Sequence, residues 1–333
     1  MTPPKLLELF AGIGGASAAW PEAQCVAAYD INELAREVFE ANFSVPYRVR
    51  SLESVRLEEY CELQADCWWM SPPCQPHSRK GQRRDAQDHR SAALNHIVKS
   101  LGQIEKPEVL PGHIVLENVV GFESSQAAAR LLETLQAQGY QTKFLKVCPS
   151  QFGWLNRRPR IYLLASREAL QWPAIPEYSF THETFLESDL ATGVAGILQV
   201  DAGVLARFET ALDRIDPQSA KPTSCFTASY GKAILRSGSY LLNAESVRRF
   251  TPREVARYLG FPDSFQLPGE FGSGGDRGVS CRSGWKLLGN SLSLPAARFA
   301  LEHLSIGPKF GEHQFGVSSA LPAVEEKQSS RSR

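Results

Sequence analysis

The residues best suited to chemistry in this chain are a cysteine and a glutamate. Cys74 sits in Ser71-Pro72-Pro73-Cys74-Gln75, directly after the apolar run Cys67-Trp68-Trp69-Met70. Proline fixes φ and restricts the residue before it, so the thiol belongs to a stiff loop where a strand ends. Glu117 closes a second apolar run, His113-Ile114-Val115-Leu116-Glu117, and is followed by Asn118-Val119. A positioned thiol and an acid at neighbouring strand ends suit nucleophilic attack on an electron-poor heterocycle. Thiols react as thiolates, which cationic neighbours favour. Two basic clusters supply such neighbours. One holds Arg79, Lys80, Arg83, Arg84 and Arg90 against Asp85 and Asp88; the other is Asn156-Arg157-Arg158-Pro159-Arg160. In isolation such clusters are solvated loops and Glu117 is equally a helix cap. Their company with a proline-framed cysteine favours chemistry.

A second constellation is the glycine loop Phe10-Ala11-Gly12-Ile13-Gly14-Gly15, placed between an apolar run and a helix start. Glycines permit a tight turn and close approach of backbone to a ligand. Asp30 ends the next apolar run, where it suits acceptance from ribose hydroxyls. The loop lacks a third glycine at the dinucleotide spacing and no phosphate-binding basic residues follow it. A nucleoside cofactor without a pyrophosphate, such as S-adenosylmethionine, fits better than a nicotinamide dinucleotide.

These residues need a scaffold. Leu6–Phe10, Cys25–Tyr29, Cys67–Met70 and Ile114–Leu116 read as buried strands, with helical spacing over Asn32–Asn42, Ser91–Gln103 and Ser125–Gln138 between them. Gln141–Val147 and Arg160–Ala165 read as a further strand pair. The alternation predicts an α/β fold, a mostly parallel sheet with helices on both faces. In such sheets ligands bind beyond the carboxyl ends of the strands, where the glycine loop, Asp30, Ser71–Gln75 and Glu117 all fall. After about Ser166 periodicity weakens and Pro173, Pro176, Pro217 and Pro222 break the chain. The expected organisation is a catalytic domain of residues 1–166 and 285–305, a small target-recognition domain of 167–284, and a flexible tail of 306–333. Thr251-Pro252-Arg253-Glu254 starts a helix, and Asn290–Leu304 reads as the last one.

The chain has 333 residues, 43% apolar and 22% charged, with formal net charge +0. That balance argues against indiscriminate polyanion binding and leaves room for a local basic surface. Seven cysteines without a Cys-x-x-Cys pair argue against a disulfide framework or a zinc ribbon, and no metal is expected. No run of 18 apolar residues and no signal-peptide core are present, so a cytoplasmic, membrane-free protein is expected.

Phe10-Ala11-Gly12-x-Gly14-Gly15, Pro73-Cys74-Gln75, Glu117-Asn118-Val119, Arg158-x-Arg160 and Gly289-Asn290-Ser291 resemble, in order, the motifs of cytosine-5 methyltransferases. Ser224-Cys225-Phe226-Thr227 with Tyr230-Gly231, and Phe250-Thr251-Pro252-Arg253-Glu254 with Leu259-Gly260-Phe261-Pro262, resemble the branch that mainly methylates transfer RNA. The resemblance departs at His77-Ser78, where an aromatic residue and Thr or Ser are usual, and in the Phe271–Arg282 insertion.

The resemblance implies a Rossmann-like S-adenosylmethionine-dependent sheet with Cys74, Glu117, Arg158 and Arg160 catalytic. Cys74 attacks cytosine C6, Glu117 holds N3, and the arginines hold the base. It assigns cofactor binding to Phe10, Ala11, Gly12, Ile13, Gly14, Gly15, Asp30, Leu52, Glu53, Ser71, Asn290 and Ser291. Arg79, Lys80, Arg83 and Arg84 are candidates for contact with an anticodon stem-loop. Cys225 is either a packing thiol or an aid to tRNA-dependent catalysis. The implied substrate is an anticodon-loop cytosine of an aspartate-type or related tRNA, methylated by a monomer. DNA cytosine-5 methylation is the nearest alternative, and a non-catalytic RNA-binding protein on the same fold is a second.

Overall fold

The computed structural model describes residues 2–73, 92–105, 109–188, 190, 195–243, 246–268 and 277–309. Cys74, Arg79, Lys80, Arg83 and Arg84 lie outside them, as do residues 271–276 of the insertion and the tail beyond 309.

Seven strands form one sheet in the order β3-β2-β1-β4-β5-β7-β6. They are β1 (Lys5–Leu9), β2 (Gln24–Asp30), β3 (Tyr47–Val49), β4 (Cys67–Met70), β5 (His113–Val119), β6 (Gln141–Val147) and β7 (Arg160–Ser166). The helices among them are α1 (Gly15–Ala19), α2 (Glu33–Asn42), α3 (Leu57–Glu62), α4 (Ala92–Gly102) and α5 (Gln126–Ala137). The first five strands are parallel, and β7 runs antiparallel between β5 and β6. The short edge strand β3 is missing from the sequence reading because three residues carry no period of their own.

Alternate residues of each strand feed two cores, which is why the strand sequences are apolar throughout. Leu6, Trp69, Val115, Tyr162 and Leu164 join one core, and Leu7, Leu9, Trp68, Met70, Ile114, Leu116 and Leu163 the other. The first core continues into the C-terminal part through Trp154, Phe185, Phe226, Tyr258 and Trp285. Glu8 and Glu117 share the parity of Leu6 and Val115, so both carboxylates emerge on that face.

The remaining elements are α6 (Ala195–Leu198), α7 (Ala202–Arg207), a small sheet of β8 (Arg214–Ile215), β9 (Tyr240–Asn243) and β10 (Ser246–Arg249), then α8 (Pro252–Leu259), α9 (Arg277–Gly289) and α10 (Leu294–Leu301). Thr251 and Glu254 form a reciprocal capping box at the start of α8, as their spacing predicts. Helix α9 runs through the expected domain boundary at 284/285. The last helix begins at Leu294 rather than Asn290, after Ser293 in extended conformation and with Pro295 in the first turn. Among the described residues no helix is long and apolar enough to cross a membrane, and no cluster of His, Cys, Asp and Glu suits a metal.

Candidate active site

A cleft of about 570 Å³ opens at the carboxyl ends of β1, β2, β4 and β5, around the point where strand order reverses about β1. Phe10, Ala11, Gly12, Ile13, Gly15, Asp30, Leu52, Glu53, Ser71, Asn290 and Ser291 line it, together with Glu117, Arg158 and Arg160. Gly14 is the exception among the expected cofactor residues. It sits at φ +83° with its α-carbon turned toward Phe39 and Phe43, so it shapes the start of α1 instead of facing the cleft.

Register explains how Glu117 and Arg160 meet. Glu117 pairs with Tyr162 and Val119 with Arg160 across β5 and the antiparallel β7. An antiparallel strand begins at the rim where its parallel neighbours end, so Arg160 enters opposite Val119, two residues past Glu117 and within side-chain reach of it. Arg160 Nε lies 2.9 Å from Glu117 Oε1, with both side chains largely buried. The next residue ties down the cysteine loop, since Asn118 Nδ2 donates to the Pro72 carbonyl at 3.2 Å. Trp69 Nε1 donates to Ser71 Oγ at 2.8 Å on the same approach.

Arg158 differs from the expected base-holding role. Its side chain is buried and donates to the carbonyls of Phe226 at 3.0 Å, Gly289 at 3.1 Å and Ser291. It joins three segments distant in sequence. Desolvation lowers its pKa, and the neighbouring Arg160 adds to that. Cys225, which the sequence reading also grouped with the nucleic-acid contacts, lies beside the same arginines. Segment 223–226 runs alongside 155–158, with Thr223 N bonded to the Leu155 carbonyl and Arg157 N to the Thr223 carbonyl. This lays Cys225 Sγ 3.5 Å from Arg158 Nη1 and 4.0 Å from Arg160 Nη2.

On the cofactor side, Asp30 takes three backbone amides: Gly12 at 2.9 Å, Ile31 at 2.7 Å and Asn32 at 3.1 Å. A carboxylate has about four acceptor positions, so one remains for a ligand. Burial raises the Asp30 pKa, against the lowering effect of those amides. Phe10, at φ +58°, turns the chain off β1, a left-handed conformation uncommon for an aromatic residue.

A family model described as C-5 cytosine-specific DNA methylase matches residues 4–201 and 208–305. The chain belongs to this family. Among its relatives is a human tRNA (cytosine(38)-C(5))-methyltransferase, 29% identical, with the match covering 88% of this chain and 97% of the relative. A DNA (cytosine-5)-methyltransferase of Dictyostelium discoideum is 28% identical, covering 87% and 91%. The solved structure of the Schizosaccharomyces pombe Dnmt2 methyltransferase superposes with TM-score 0.76 at 27% identity, covering 90% of this chain and 98% of that one.

Methyltransferases of this family use S-adenosylmethionine, and the cleft can be tested against it. A Cβ built on Gly12 meets nothing within 4 Å, so the loop backbone faces open space that a nucleoside could fill. Ile31, 72% exposed beside Asp30, offers an apolar surface to a base, while Glu53 stands opposite. The residues fit the cofactor. Ile31, Trp69, Arg50 and Leu292 also line the cleft of this methylase and escape the sequence reading. Only Ile31 carried a signal: a large apolar residue directly after a strand-end acid.

Proposed function

We propose that this chain is an S-adenosylmethionine-dependent tRNA cytosine-5 methyltransferase acting on an unpaired cytosine of an anticodon stem-loop, in an aspartate-type tRNA or a related one. The observation that carries the reading is one cleft reaching from the glycine loop to the Glu117–Arg160 pair, next to the Pro72-Pro73 approach to Cys74. The tRNA assignment draws on relatives named for cytosine 38 of tRNA. It also agrees with physics: a base must leave its stack to be modified, which costs least in a loop.

In this reading the Gly12 loop, Asp30, Ile31, Glu53, Asn290 and Ser291 hold the cofactor, which supplies an electrophilic methyl group. Cys74 forms the S–C6 bond to cytosine while Glu117 gives a proton to N3, so the pair of electrons is delivered to C5. Arg160 orients the Glu117 carboxyl and reaches toward the base, and Asn118 holds the backbone before Cys74. Once C5 carries the methyl group, loss of the C5 proton, return of the N3 proton to Glu117 and departure of Cys74 as a thiolate restore the ring.

Bisulfite sequencing of total tRNA incubated with the protein and S-adenosylmethionine tests the reading, with duplex DNA in parallel. New 5-methylcytosine at one anticodon-loop position is expected. Methylation of DNA alone would replace the tRNA reading with the activity named for the Dictyostelium relative. Cys74→Ala should abolish transfer to either polymer.

A further inference from the structure

Strand β3 leads into the wall of the cleft that carries Leu52 and Glu53, yet it has three residues and pairs with β2 alone, Ala28 to Tyr47, Tyr29 to Arg48 and Asp30 to Val49. So few ladder bonds leave the segment that follows dependent on side chains. A carboxylate of α3 supplies them. Glu59 Oε1 accepts from the Tyr29 hydroxyl at 2.9 Å and from Arg48 Nη1 at 2.6 Å. Arg50 Nη1 reaches both Glu59 oxygens, at 3.1 and 3.0 Å. Arg50 Nη2 goes on to the Ser54 carbonyl at 2.9 Å, and Arg50 N donates to the Asp30 carbonyl at 3.0 Å. One carboxylate thus joins the end of β2, which carries Asp30, to the turn at Leu52–Ser54. Its platform is firm, because the next residue, Tyr60, is buried edge-on against Tyr29 with ring centroids 5.6 Å apart. Desolvation would raise the Glu59 carboxyl, but donation from Tyr29, Arg50 and Arg48 outweighs it and holds the group below its ordinary value. Isolated surface ion pairs contribute little, but here a single anion stands between two guanidiniums. Without it Arg48 and Arg50 are neighbouring like charges, and Arg50 lines the cleft.

We propose that Glu59 is a positioning residue for the nucleoside end of the cofactor, holding Arg48 and Arg50 so that Asp30 and the Leu52-Glu53 turn keep their spacing across the cleft. The proposal rests on the methyltransferase reading of that cleft, in which Asp30 takes the ribose and Ile31 and Glu53 flank the base. Glu59 is not part of the cleft lining itself, so it acts through Arg50 and the turn. A purely structural ion pair would instead change stability on removal and leave ligand affinity as it was.

Calorimetry on the full chain tests it, with two ligands: S-adenosylhomocysteine, and methylthioadenosine, which keeps the nucleoside and lacks the amino acid. The proteins are the parent, Glu59→Gln, Arg50→Gln and the double variant, with thermal midpoints and steady-state kinetics alongside. Glu59→Gln should weaken both ligands by the same factor, roughly tenfold, about the worth of one charge-assisted hydrogen bond. KM for S-adenosylmethionine should rise to match, while kcat at saturating cofactor and KM for an RNA stem-loop stay near the parent's. With Glu59 gone Arg50 has lost its anchor, so the double variant should bind little worse than Glu59→Gln alone. Parent-like affinity in Glu59→Gln, unequal losses for the two ligands, or additive losses in the double variant would each overturn the proposal. If Glu59→Gln does not fold, Arg50→Gln decides, since it leaves Glu59 with Tyr29 and Arg48 and must show the same equal loss. A parent that binds neither ligand would sink the reading of the cleft; a parent that binds both, with variants that match it, would sink the role of Glu59 alone.

Discussion

Glu117 and Arg160 meet because β7 is antiparallel, and Arg158 is two residues earlier with a different duty. The two arginines of one motif should therefore fail differently. Arg160→Lys keeps the charge but loses the planar fork that reaches Glu117 and the Pro159 carbonyl. It should lower kcat with little change in thermal midpoint. Arg158→Lys gives up bonds to three carbonyls in a buried site and should cost about 2–4 kcal/mol of stability. Chemical denaturation of both variants beside their kinetics checks the split; equal losses of stability would refute it. Glu117→Gln retains the shape and should lower kcat at least about a hundredfold, since it removes the proton donor. Calorimetry with S-adenosylhomocysteine should show cofactor-site affinity close to the parent's.

At the scale of the element, the loop between β1 and α1 depends on Gly14 and Glu8. Gly14 has φ +83°, and an added Cβ would lie 2.5 Å from Phe43 and 2.8 Å from Phe39. Gly14→Ala should cost about 2 kcal/mol or more and weaken cofactor binding as the loop shifts. Glu8, buried beneath the loop, accepts from Ser17 N at 2.7 Å and from Ser17 Oγ, so it anchors the first turn of α1. Burial raises its pKa from 4.5 to about 7, more than the Ser17 bonds lower it. Below pH 4.5 the folded and unfolded chains both hold this proton and no penalty exists. As pH rises toward 7 the unfolded chain gives it up more readily, and stability declines until the folded carboxyl also ionises. Glu8→Gln should thus be more stable than the parent above pH 7, by at most roughly 3 kcal/mol, and lose that advantage near pH 5. Thermal midpoints across this range test it.

These elements also show what the sequence could express. The glycine loop, Asp30 and Glu117 were legible because each closes an apolar run, and strand ends are where such folds bind ligands. Gly14 and Gly12 look alike in sequence; only packing tells that one faces Phe39 and Phe43 and the other the cleft. Arg158 and Cys225 carried no signal of their contact, because it depends on a pairing between segments 67 residues apart. Helix α9 follows a glycine-rich stretch and spans the expected boundary at 284/285, and residues on both sides of that boundary join one core, a continuity composition does not express.

At the scale of the whole molecule, the C-terminal part is fastened to the sheet at the catalytic rim itself. Gly289, at the end of α9, lies so close to segment 227–228 that an added Cβ would approach the Thr227 carbonyl carbon to 2.2 Å. This contact sits where Arg158 ties Phe226, Gly289 and Ser291 together, so the cleft and the C-terminal part are joined at that point. With formal net charge +0, the molecule as a whole exerts no net pull on a polyanion, and affinity for RNA must come from local cations. Arg79, Lys80, Arg83 and Arg84, next to Cys74 in sequence, are the proposed source. Four phosphate contacts on a single-stranded loop give a slope near −3 in log affinity against log salt. An anticodon stem-loop should then bind roughly fiftyfold more weakly at 200 mM than at 50 mM salt. Replacing all four by glutamine should flatten that dependence while leaving S-adenosylhomocysteine binding intact, because none of the four is among the residues expected to hold the cofactor. An unchanged slope in that variant would assign the phosphate contacts to other cations of the molecule, and the neutral bulk charge means those too would have to be a local cluster.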